Sequence, residues 1–508
     1  METDKIISLE NLIKKLEYIK KTGEKIIHCH GCFDLIHPGH IKHFQAAKKL
    51  GDILVVTVTS DRLVNKGPGR PVFNQDLRME TVAAIGCVDF VVLNDDSDSV
   101  SLITTLKPDY FVKDQEFQEA AWNDPESAIY RERIAVESVG GKFHATTEIR
   151  FSSSRLLGDF FGTQSESAVG FLSSFRDRYA PEEIIERFEL LKNLKVLVIG
   201  DAIIDVYSYV DPMGKSTKAN DVIACNYLSE ETFAGGIMAC ANHLAGFCEQ
   251  VDMLTCLGKK GRSYHDFIVS NLKDNVSPLF LFREDAPTVC KRRFIDEPFL
   301  NKIFELYYFD DRMVFEDVEN EALEVLQNIQ DYDLVLVSDF GHGFLSPELI
   351  NLICQKSNFL ALNVQTNTGN FGYNLVTKYP RADFVCIDRP EVSLACHKKG
   401  GNYEEMLSFL RKKLSCQNII MTGGHESTWT LGPEGFGQVP IFSSKVVDTV
   451  GAGCAFLSVV SPCAFWGWPT ELLAFVGNVV GALAVGIVGN RSSVEPKDFF
   501  RFLTTLLK

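Results

Sequence analysis

The chain has 508 residues, which is too long for one ordinary hydrophobic core and predicts two or three domains. Its hydrophobic fraction of 45% and charged fraction of 23% are typical of soluble globular proteins. The net charge of −16 argues against a general nucleic-acid binder and against a protein that binds anionic membranes, because both need a basic face. Local basic pockets for phosphate groups are compatible with this charge.

Fourteen cysteines are scattered along the chain without the spacing of a disulfide framework, and several lie inside apolar runs. Buried free thiols in a reducing compartment explain this pattern. The first five residues lack the apolar core of a signal peptide. The apolar region 455–488 is interrupted by Pro462 and other polar or turn-forming residues, so it predicts core helices and not a membrane span. We therefore expect a cytoplasmic protein with neither a membrane nor a nucleic-acid partner.

The most informative segment is residues 28–44, where an apolar run passes into helical periodicity. Residues 25–29 predict a buried parallel strand, and residues 41–50 predict a helix. Between them, Gly31 allows the backbone to come close to a ligand, and a Pro-Gly pair shapes the turn. The segment is therefore a strand, a turn and a helix.

Two histidines, His37 and His40, lie where the new helix presents its free N–H groups. Imidazoles at the positive end of a helix suit a polyphosphate, because donors and the helix dipole act on the same negative charge. Cys29 and Cys32 also have the spacing of a redox or metal pair. We reject a metal site because no second Cys/His pair follows at the spacing of a zinc finger.

The pattern after this helix alternates strands with helices. Residues 52–59, 88–93 and 110–113 predict strands, and residues 77–85 predict a helix between the first two. Such alternation implies a parallel, doubly wound α/β sheet whose ligands bind beyond the carboxyl ends of the strands. The two histidines lie at such an end.

Four further segments carry groups suited to phosphate. Each would be a solvated loop or a helix cap in most proteins, so only their combination and order are informative. Serines followed by an arginine at a helix N-terminus form a second phosphate cradle. The four are a Gly/Pro loop with Lys66, a helix start with Arg78, a strand end with Lys113, and the turn Ser152-Ser153-Ser154-Arg155.

The string from Gly31 to His40 resembles the G-x-F-D-x-x-H-x-G-H signature of cytidylyltransferase-like nucleotidyltransferases. Residues from about 25 to 157 resemble the nucleotidyltransferase domain of bacterial ADP-heptose synthases and, more distantly, glycerol-3-phosphate cytidylyltransferases. The resemblance implies catalytic roles for His37, His40 and Lys66. It implies nucleotide contacts by Cys32, Phe33, Asp34, Arg78, Lys113, Ser152, Ser153, Ser154 and Arg155.

One residue departs from the heptose enzymes. Asp114 stands where they have a glycine, in the segment after the strand at 110–113. A side chain and a negative charge near the nucleotide would weaken ATP binding or alter the choice of base.

Residues 158–192 predict a linker, with a polar turn at 162–167 and a helix at 181–191. A strand at 194–201 then opens a second domain. Residues 194–508 resemble the ribokinase-like (PfkB-type) sugar kinases, another α/β fold. This resemblance implies sugar contacts by Asp201, Asp205, Gly235, Gly236 and Asn242, and an anion hole formed by Gly451, Ala452 and Gly453.

Cys454 occupies the position of the aspartate that serves as general base in the kinase family. A thiol has an ordinary pKa of about 8.5 and would need strong activation to replace a carboxylate at neutral pH. Asp388 likewise stands where the family often has the asparagine of an Asn-x-x-Glu motif associated with a metal ion. We therefore expect phosphoryl transfer by this domain to be lost or much reduced.

These observations predict a nucleotidyltransferase domain at 1–157, a linker and helix at 158–192, and a kinase-like domain at 193–508. The expected reaction joins ATP or another NTP to a heptose 1-phosphate-like sugar phosphate, with Mg²⁺ as cofactor and pyrophosphate as second product. Three alternatives remain: a bifunctional kinase and nucleotidyltransferase, a cytidylyltransferase acting on a glycerol or polyol phosphate, and a degenerate regulatory protein that binds nucleotide or sugar. Both families often form dimers, so we expect a homodimer.

Overall fold

Two compact units make up the chain, Met1–Thr163 and Gln164–Leu507. A computed structural model of the protein describes residues 5–64, 70–96, 98–114, 118–125, 127–146, 165–297, 300–310, 312–442 and 446–508. Each unit is built on a parallel sheet with helices packed against it, which confirms the predicted α/β class.

The first unit contains a five-stranded sheet in the order β3-β2-β1-β4-β5, and all neighbouring strands are parallel. Its strands are β1 (Ile26–Gly31), β2 (Ile53–Thr59), β3 (Phe90–Asn94), β4 (Tyr110–Asp114) and β5 (Lys142–Thr146). Its described helices are α1 (Leu9–Lys21), α2 (Pro38–Lys48), α3 (Gln75–Ala83), α4 (Val100–Leu106), α5 (Gln118–Asn123) and α6 (Ala128–Ser138).

Continuous apolar runs form the central strands because helices cover both faces of a parallel sheet. Residues 26–29 of β1 and 54–58 of β2 are buried. Polar caps fix where helices begin: the side chain of Asn74 accepts a hydrogen bond from the N–H of Leu77 at the start of α3. The predicted strands and helices of this region therefore occur, with ends that differ by one to three residues.

The order of the strands creates a binding crevice between β1 and β4. The chain moves from β1 to β2 and β3 on one side of the sheet, and then returns to place β4 and β5 on the other side. In a sheet of this kind, ligands bind at the carboxyl ends of the strands where the direction reverses. In this unit that point lies just after Gly31 and Asp114.

The second unit has a nine-stranded sheet in the order β10-β9-β6-β13-β14-β15-β16-β17-β18, in which all neighbours pair in parallel except that β17 is antiparallel to both β16 and β18. A separate four-stranded sheet has the order β12-β11-β7-β8. The strands are β6 (Lys195–Gly200), β7 (Ala202–Ser216), β8 (Ala219–Gly236), β9 (Gln250–Gly258), β10 (Val276–Arg283), β11 (Val289–Asp296), β12 (Asn301–Tyr308), β13 (Leu334–Asp339), β14 (Leu360–Val364), β15 (Phe384–Asp388), β16 (Asn418–Thr422), β17 (Ser427–Gly432) and β18 (Gly435–Pro440).

Helices cover both faces of the larger sheet. They are α7 (Glu166–Arg176), α8 (Pro181–Glu189), α9 (Ile237–Leu244), α10 (His265–Asn271), α11 (Glu316–Val325), α12 (Pro347–Lys356), α13 (Arg389–Ala395), α14 (Tyr403–Lys413), α15 (Ala452–Phe465), α16 (Thr470–Ala484) and α17 (Pro496–Leu507). The apolar region 455–488 accordingly forms two core helices, α15 and α16. No described helix is long and apolar enough to cross a membrane.

Helices α7 and α8 pack into the core of the second unit. Phe175 of α7 stacks on Phe475 with ring centroids 4.3 Å apart. Phe188 of α8, which is buried, contacts the rings of Trp468 and Phe499 at 5.2 and 5.1 Å. Residues 165–191 are therefore part of this unit's hydrophobic core.

Replacing Phe188 by alanine should destabilise the second unit by about 3 to 5 kcal/mol, because it removes a buried ring and leaves a cavity. Hydrogen exchange of peptides from α8 and β6 measures this change as faster global opening. The exposed neighbour Leu190 provides the control, since Leu190→Ala should change the exchange little. Equal effects of the two substitutions would contradict the packing described for α8.

Candidate active site

The turn between β1 and α2 is shaped by Phe33. Its φ of +50° lies in the left-handed region, and its buried ring packs edge-on against His40 with centroids 5.5 Å apart. A Cβ on Gly31 would lie 2.9 Å from the Phe33 ring. Gly31 is therefore required for the packing of Phe33 against the strand end, which differs from its expected role of admitting a ligand to the backbone.

His37 and His40 come together at the start of α2. Their rings stack with centroids 3.9 Å apart and an interplanar angle of 25°. The backbone N–H of His37 donates to Nδ1 of His40 at 3.4 Å, so in a neutral His40 ring the proton lies on Nε2. Burial lowers the pKa of His37, although the carboxylate of Asp114 opposes this shift. The structure therefore places both predicted catalytic histidines together, at the carboxyl end of β1.

The carboxylate of Asp34 is buried against the loop that precedes α3. One oxygen accepts hydrogen bonds from the N–H groups of Val72 and Phe73 at 2.8 and 3.1 Å, and the other accepts from Nε of Arg70 at 2.6 Å. The described contacts of this carboxylate are thus with the loop, and its predicted nucleotide contact stays a prediction. Asp34 positions the end of the Gly/Pro loop relative to the histidine turn.

Arg78 is also buried, and its guanidinium faces the protein. Nε donates to the carbonyl of Phe73 at 3.0 Å, and Nη1 donates to the carbonyl of Cys32 at 2.5 Å. Nη2 donates to the carbonyl of Thr59 at 2.8 Å and to Asp61 at 2.6 Å. The described contacts of Arg78 are therefore structural, since one side chain joins the ends of β1 and β2 to the loop, and its predicted phosphate contact stays a prediction.

Two other predicted nucleotide contacts lie at strand ends. Cys32 is half-buried, and its carbonyl accepts the hydrogen bond from Arg78. Nζ of Lys113 donates to the carbonyl of His30 at 3.1 Å and lies 3.5 Å from the carboxylate of Glu132. The described contacts of Lys113 are thus within the protein.

A histidine that the sequence analysis did not select lies beside the site. Nδ1 of His43, which is buried, is 3.0 Å from Oδ1 of Asp114 and 2.8 Å from Oγ1 of Thr146. Burial lowers the pKa of His43, but Cys29 and Asp114 beside it raise that pKa further than burial lowers it. The charge of Asp114 is therefore balanced by His43. The sequence feature that could have identified His43 is its position three residues after His40, on the same face of the helix.

Lys66 and the turn Ser152-Ser153-Ser154-Arg155 lie outside the described residues. Their predicted roles therefore stay predictions.

In the second unit, the glycine turn precedes α15. Gly451 has a φ of +87° and caps the helix, so the amides of residues 451–453 lie at its N-terminus. The carboxylate of Asp448 accepts hydrogen bonds from the hydroxyl of Tyr207 at 2.6 Å and from Nζ of Lys302 at 2.9 Å. The predicted anion hole at residues 451–453 stays a prediction.

Cys454 is buried in the first turn of α15. Its thiol contacts the thiol of Cys240, and this contact together with burial raises the pKa of Cys454 well above its ordinary value. A thiol in that state is protonated at neutral pH and does not accept a proton. The contact with Cys240 was not predicted from the sequence.

Three of the predicted sugar-contacting residues are Asp205, Gly235 and Asp201. Asp205 is buried and forms an ion pair with Arg293. Gly235 lies against Asp205, where a Cβ would come within 2.1 Å of Oδ2. Asp201 accepts hydrogen bonds from two backbone N–H groups of the segment 340–342, and burial with the nearby Asp339 raises its pKa to about 6.

Gly236 and Asn242 complete this comparison. Gly236 has a φ of +58° and begins α9. Asn242 lies elsewhere: its amide donates to the carbonyl of Asn271 at 2.8 Å and accepts from the N–H of Lys273 at 3.0 Å. Asn242 therefore links α9 to the end of α10, and its predicted sugar contact stays a prediction.

Asp388 and Glu391 form a capping box at the start of α13. The Asp388 carboxylate accepts from the N–H of Glu391, and the Glu391 carboxylate accepts from the N–H of Asp388, both at 2.9 Å. Burial and the adjacent Asp388 raise the pKa of Glu391 to about 8. In the described part of the chain, no group of three or more His, Cys, Asp or Glu side chains is arranged to hold a metal ion.

Two family models match the chain. Residues 28–158 match the family described as cytidylyltransferase-like. Residues 193–497, well over half of the chain, match the family described as pfkB family carbohydrate kinase.

Curated relatives match a little over a quarter of this chain. A protein named bifunctional protein HldE from Syntrophotalea carbinolica is 38% identical over 145 residues, which are 28% of this chain and 28% of that protein. One of the same name from Campylobacter fetus is 42% identical over 147 residues, 28% of this chain and 30% of the relative. These matches span less than a third of the relatives' length.

The solved structures that match resemble the chain in fold. The crystal structure of phosphofructokinase-2 from Escherichia coli in complex with substrates and products has a TM-score of 0.50 and 13% identity. It covers 62% of this chain and 100% of the phosphofructokinase chain. At this identity the similarity shows the fold alone.

Replacing Arg78 by lysine should destabilise the first unit by at least about 3 kcal/mol, because several buried carbonyls and Asp61 lose their donors. Hydrogen exchange of peptides from β1 and β2 would measure this loss. Arg62→Lys is the matched control, since the exposed pair of Arg62 and Asp95 contributes little. An Arg78→Lys protein with unchanged exchange would contradict the structural role of the guanidinium.

Proposed function

The chain belongs to the pfkB family of carbohydrate kinases, but we propose that its principal activity lies in its first unit, Met1–Thr163, and not in the kinase-like domain. That unit joins a nucleoside triphosphate to a sugar phosphate and releases pyrophosphate. The resemblance to ADP-heptose synthases supports ATP and a heptose 1-phosphate as the substrates. The curated relatives are named bifunctional protein HldE, which supports two activities in one chain.

The observation that carries the proposal is the stacked pair of His37 and His40 at the start of α2. The pair lies at the point where the strand order reverses, which is the binding position of this kind of sheet. α2 begins with Pro38, which has no N–H, so the N–H groups of Gly39 and His40 lie at the positive end of the helix dipole beside the two imidazoles, where a phosphate is proposed to bind.

In the proposed reaction, an oxygen of the sugar phosphate attacks the α-phosphorus of the NTP. A new phosphorus–oxygen bond forms as the bond to pyrophosphate breaks, and the electron pair leaves with pyrophosphate. The attacking phosphate is already ionised, so that no general base is needed. The protein contributes position and stabilisation of developing charge, through His37, His40 and the helix amides.

Mg²⁺ is the proposed cofactor, and it supplies neutralisation of phosphate charge. The carboxylates nearest the histidine turn are each paired with a cation of the chain: Asp34 with Arg70, Asp61 with Arg78, and Asp114 with His43. Because these three carboxylates are already paired, the residues here fit an ion that would be held chiefly by phosphate oxygens and water, as is usual for Mg²⁺ at nucleotide sites.

The second unit is proposed to bind a sugar or nucleotide with little or no phosphoryl transfer. Its helix N-terminus at Gly451 keeps the form of an anion site, but the protonated thiol of Cys454 stands at the base position. The intact glycine turn favours, as a second candidate, a bifunctional kinase and nucleotidyltransferase, in which slow transfer persists without a strong base.

We propose a cytoplasmic homodimer. All fourteen cysteines are free, which supports a reducing compartment. The smaller sheet of the second unit has exposed apolar side chains, including Phe304, Leu306 and Tyr308 on β12 and Tyr227 on β8. An exposed apolar face of a sheet supports contact with a second copy.

The full-length protein should release pyrophosphate from ATP with Mg²⁺ and a heptose 1-phosphate, and His37→Ala and His40→Ala should each reduce the rate by at least about 100-fold. Loss of donors at the reacting phosphate is the physical reason. A coupled pyrophosphate assay makes the measurement, with His265→Ala, an exposed histidine of the second unit, as the control. Near-normal turnover in the His40→Ala protein would remove the proposed mechanism.

Sugar-dependent formation of ADP should be at least about 100-fold slower than pyrophosphate release at pH 7.5, because the Cys454 thiol cannot take the sugar proton. The Cys454→Ser variant should leave any residual rate unchanged. Chromatographic separation of ADP from ATP measures both proteins. Rapid ADP formation that Cys454→Ser abolishes would establish a catalytic thiol and support the bifunctional alternative.

A further inference from the structure

The carboxylate of Asp114, at the first unit's site, has one oxygen paired with a described residue and one that is not. Asp114 is the last residue of β4 and lies beside the end of β1, where the strand order reverses. Its Oδ1 is 3.0 Å from Nδ1 of His43, and its side chain is 50% exposed. No described residue donates a hydrogen bond to its Oδ2. One oxygen is therefore fixed by the protein, and the exposure of the side chain leaves the other accessible to a ligand.

The imidazole of His43 is held in place by several contacts. Its Nδ1 also lies 2.8 Å from Oγ1 of Thr146, and that hydroxyl donates to the carbonyl of Lys113 at 3.4 Å. The hydroxyl proton is thus used, so that His43 is the donor to both Thr146 and Asp114. The carboxylate is consequently held by a proton on Nδ1 of His43.

The pairing with His43 compensates the negative charge of Asp114 beside a proposed phosphate site. A lone carboxylate near His37 and His40 would repel the triphosphate that those histidines are proposed to bind. The buried ring of His43 carries a compensating positive charge, since its pKa is raised. The pair therefore has little net charge, yet Oδ2 keeps lone pairs that accept hydrogen bonds.

The position of the pair indicates what would bind to it. His43 lies one helical turn after His40, so that Asp114 lies beside the first turn of α2, and its charge acts on both His37 and His40. The group next to a reacting phosphate there is a sugar ring, either the ribose of the nucleotide or the ring of the acceptor. A carboxylate accepts hydrogen bonds from hydroxyl groups and repels further phosphates.

We propose that Asp114, held by His43, determines specificity by accepting a hydrogen bond from a hydroxyl group of the sugar ring next to the reacting phosphates. This inference rests on the proposed nucleotidyl transfer and names a recognition element for it. A charged acceptor that loses water when the substrate binds and then lacks its hydroxyl partner disfavours a deoxy analogue, so the residue selects hydroxylated substrates.

The test compares the full-length protein with its Asp114→Ala and Asp114→Asn variants in the pyrophosphate assay. One panel contains ATP, 2′-deoxy-ATP and 3′-deoxy-ATP, and the other contains a heptose 1-phosphate and its monodeoxy derivatives. The wild type should disfavour one analogue by about 10- to 100-fold, the range expected for a hydrogen bond to a charged group. Asp114→Ala should lose that discrimination, and Asp114→Asn should retain part of it. The panel in which this happens identifies the ribose or the acceptor ring.

A second comparison tests the role of His43. His43→Gln should raise the KM for ATP, because the uncompensated carboxylate repels the triphosphate, and the increase should be much smaller in the His43→Gln/Asp114→Asn double variant. Thermal unfolding of each variant checks that the fold is kept. An equal increase of KM with and without the Asp114 charge would overturn the charge-balancing role.

Failure of this inference and failure of the proposed function would give different results. An active wild type whose Asp114→Ala variant discriminates against the same analogues as before would overturn this inference alone. A wild-type protein that releases no pyrophosphate with any pair of substrates would overturn the proposed function, and this inference with it.

Discussion

The buried guanidinium of Arg78 joins three segments of the first unit: the end of β1 through the carbonyl of Cys32, the end of β2 through the carbonyl of Thr59, and the loop before α3 through Phe73. Since buried carbonyls need donors, the three segments keep their relative positions only while this one side chain supplies them. Asp34 continues the same framework by holding the loop at residues 72 and 73. The histidine turn lies on this framework, so the geometry of His37 and His40 depends on residues that do not contact a ligand.

Both units place a helix N-terminus where an anion would bind, but they differ in the side chains of its first turn. In the first unit that turn carries imidazoles, with neighbouring carboxylates compensated by Arg70 and His43. In the second unit it carries the thiol of Cys454, which the Cys240 thiol and burial keep protonated. The two helix N-termini that are proposed as phosphate sites therefore differ in their side chains: imidazoles, which would stabilise charge on a leaving group, lie at the first, and a protonated thiol, which would not act as a base, lies at the second.

The sequence predicted what depends on local patterns. Continuous apolar runs predicted β1, β2 and the parallel sheet, and the spacing of His37 and His40 placed both at the start of α2. What it missed depends on contacts between distant segments. A cation in a helix could equally face solvent phosphate or buried carbonyls, and only the fold shows that Arg78 does the latter. The pairing of Asp114 with His43, and the link of Asn242 to the end of α10, likewise appear only when separate elements meet.

The central claim is that reacting phosphates bind where β1 meets α2. Hydrogen exchange of the full-length protein with and without Mg²⁺ and α,β-methylene-ATP tests it most directly, because bound phosphates protect the amides that contact them. We predict slower exchange in the first turn of α2, at residues 39–41, and loss of that protection in the His40→Ala protein. Protection confined to the glycine turn at residues 449–453 of the second unit, with none at α2, would contradict it.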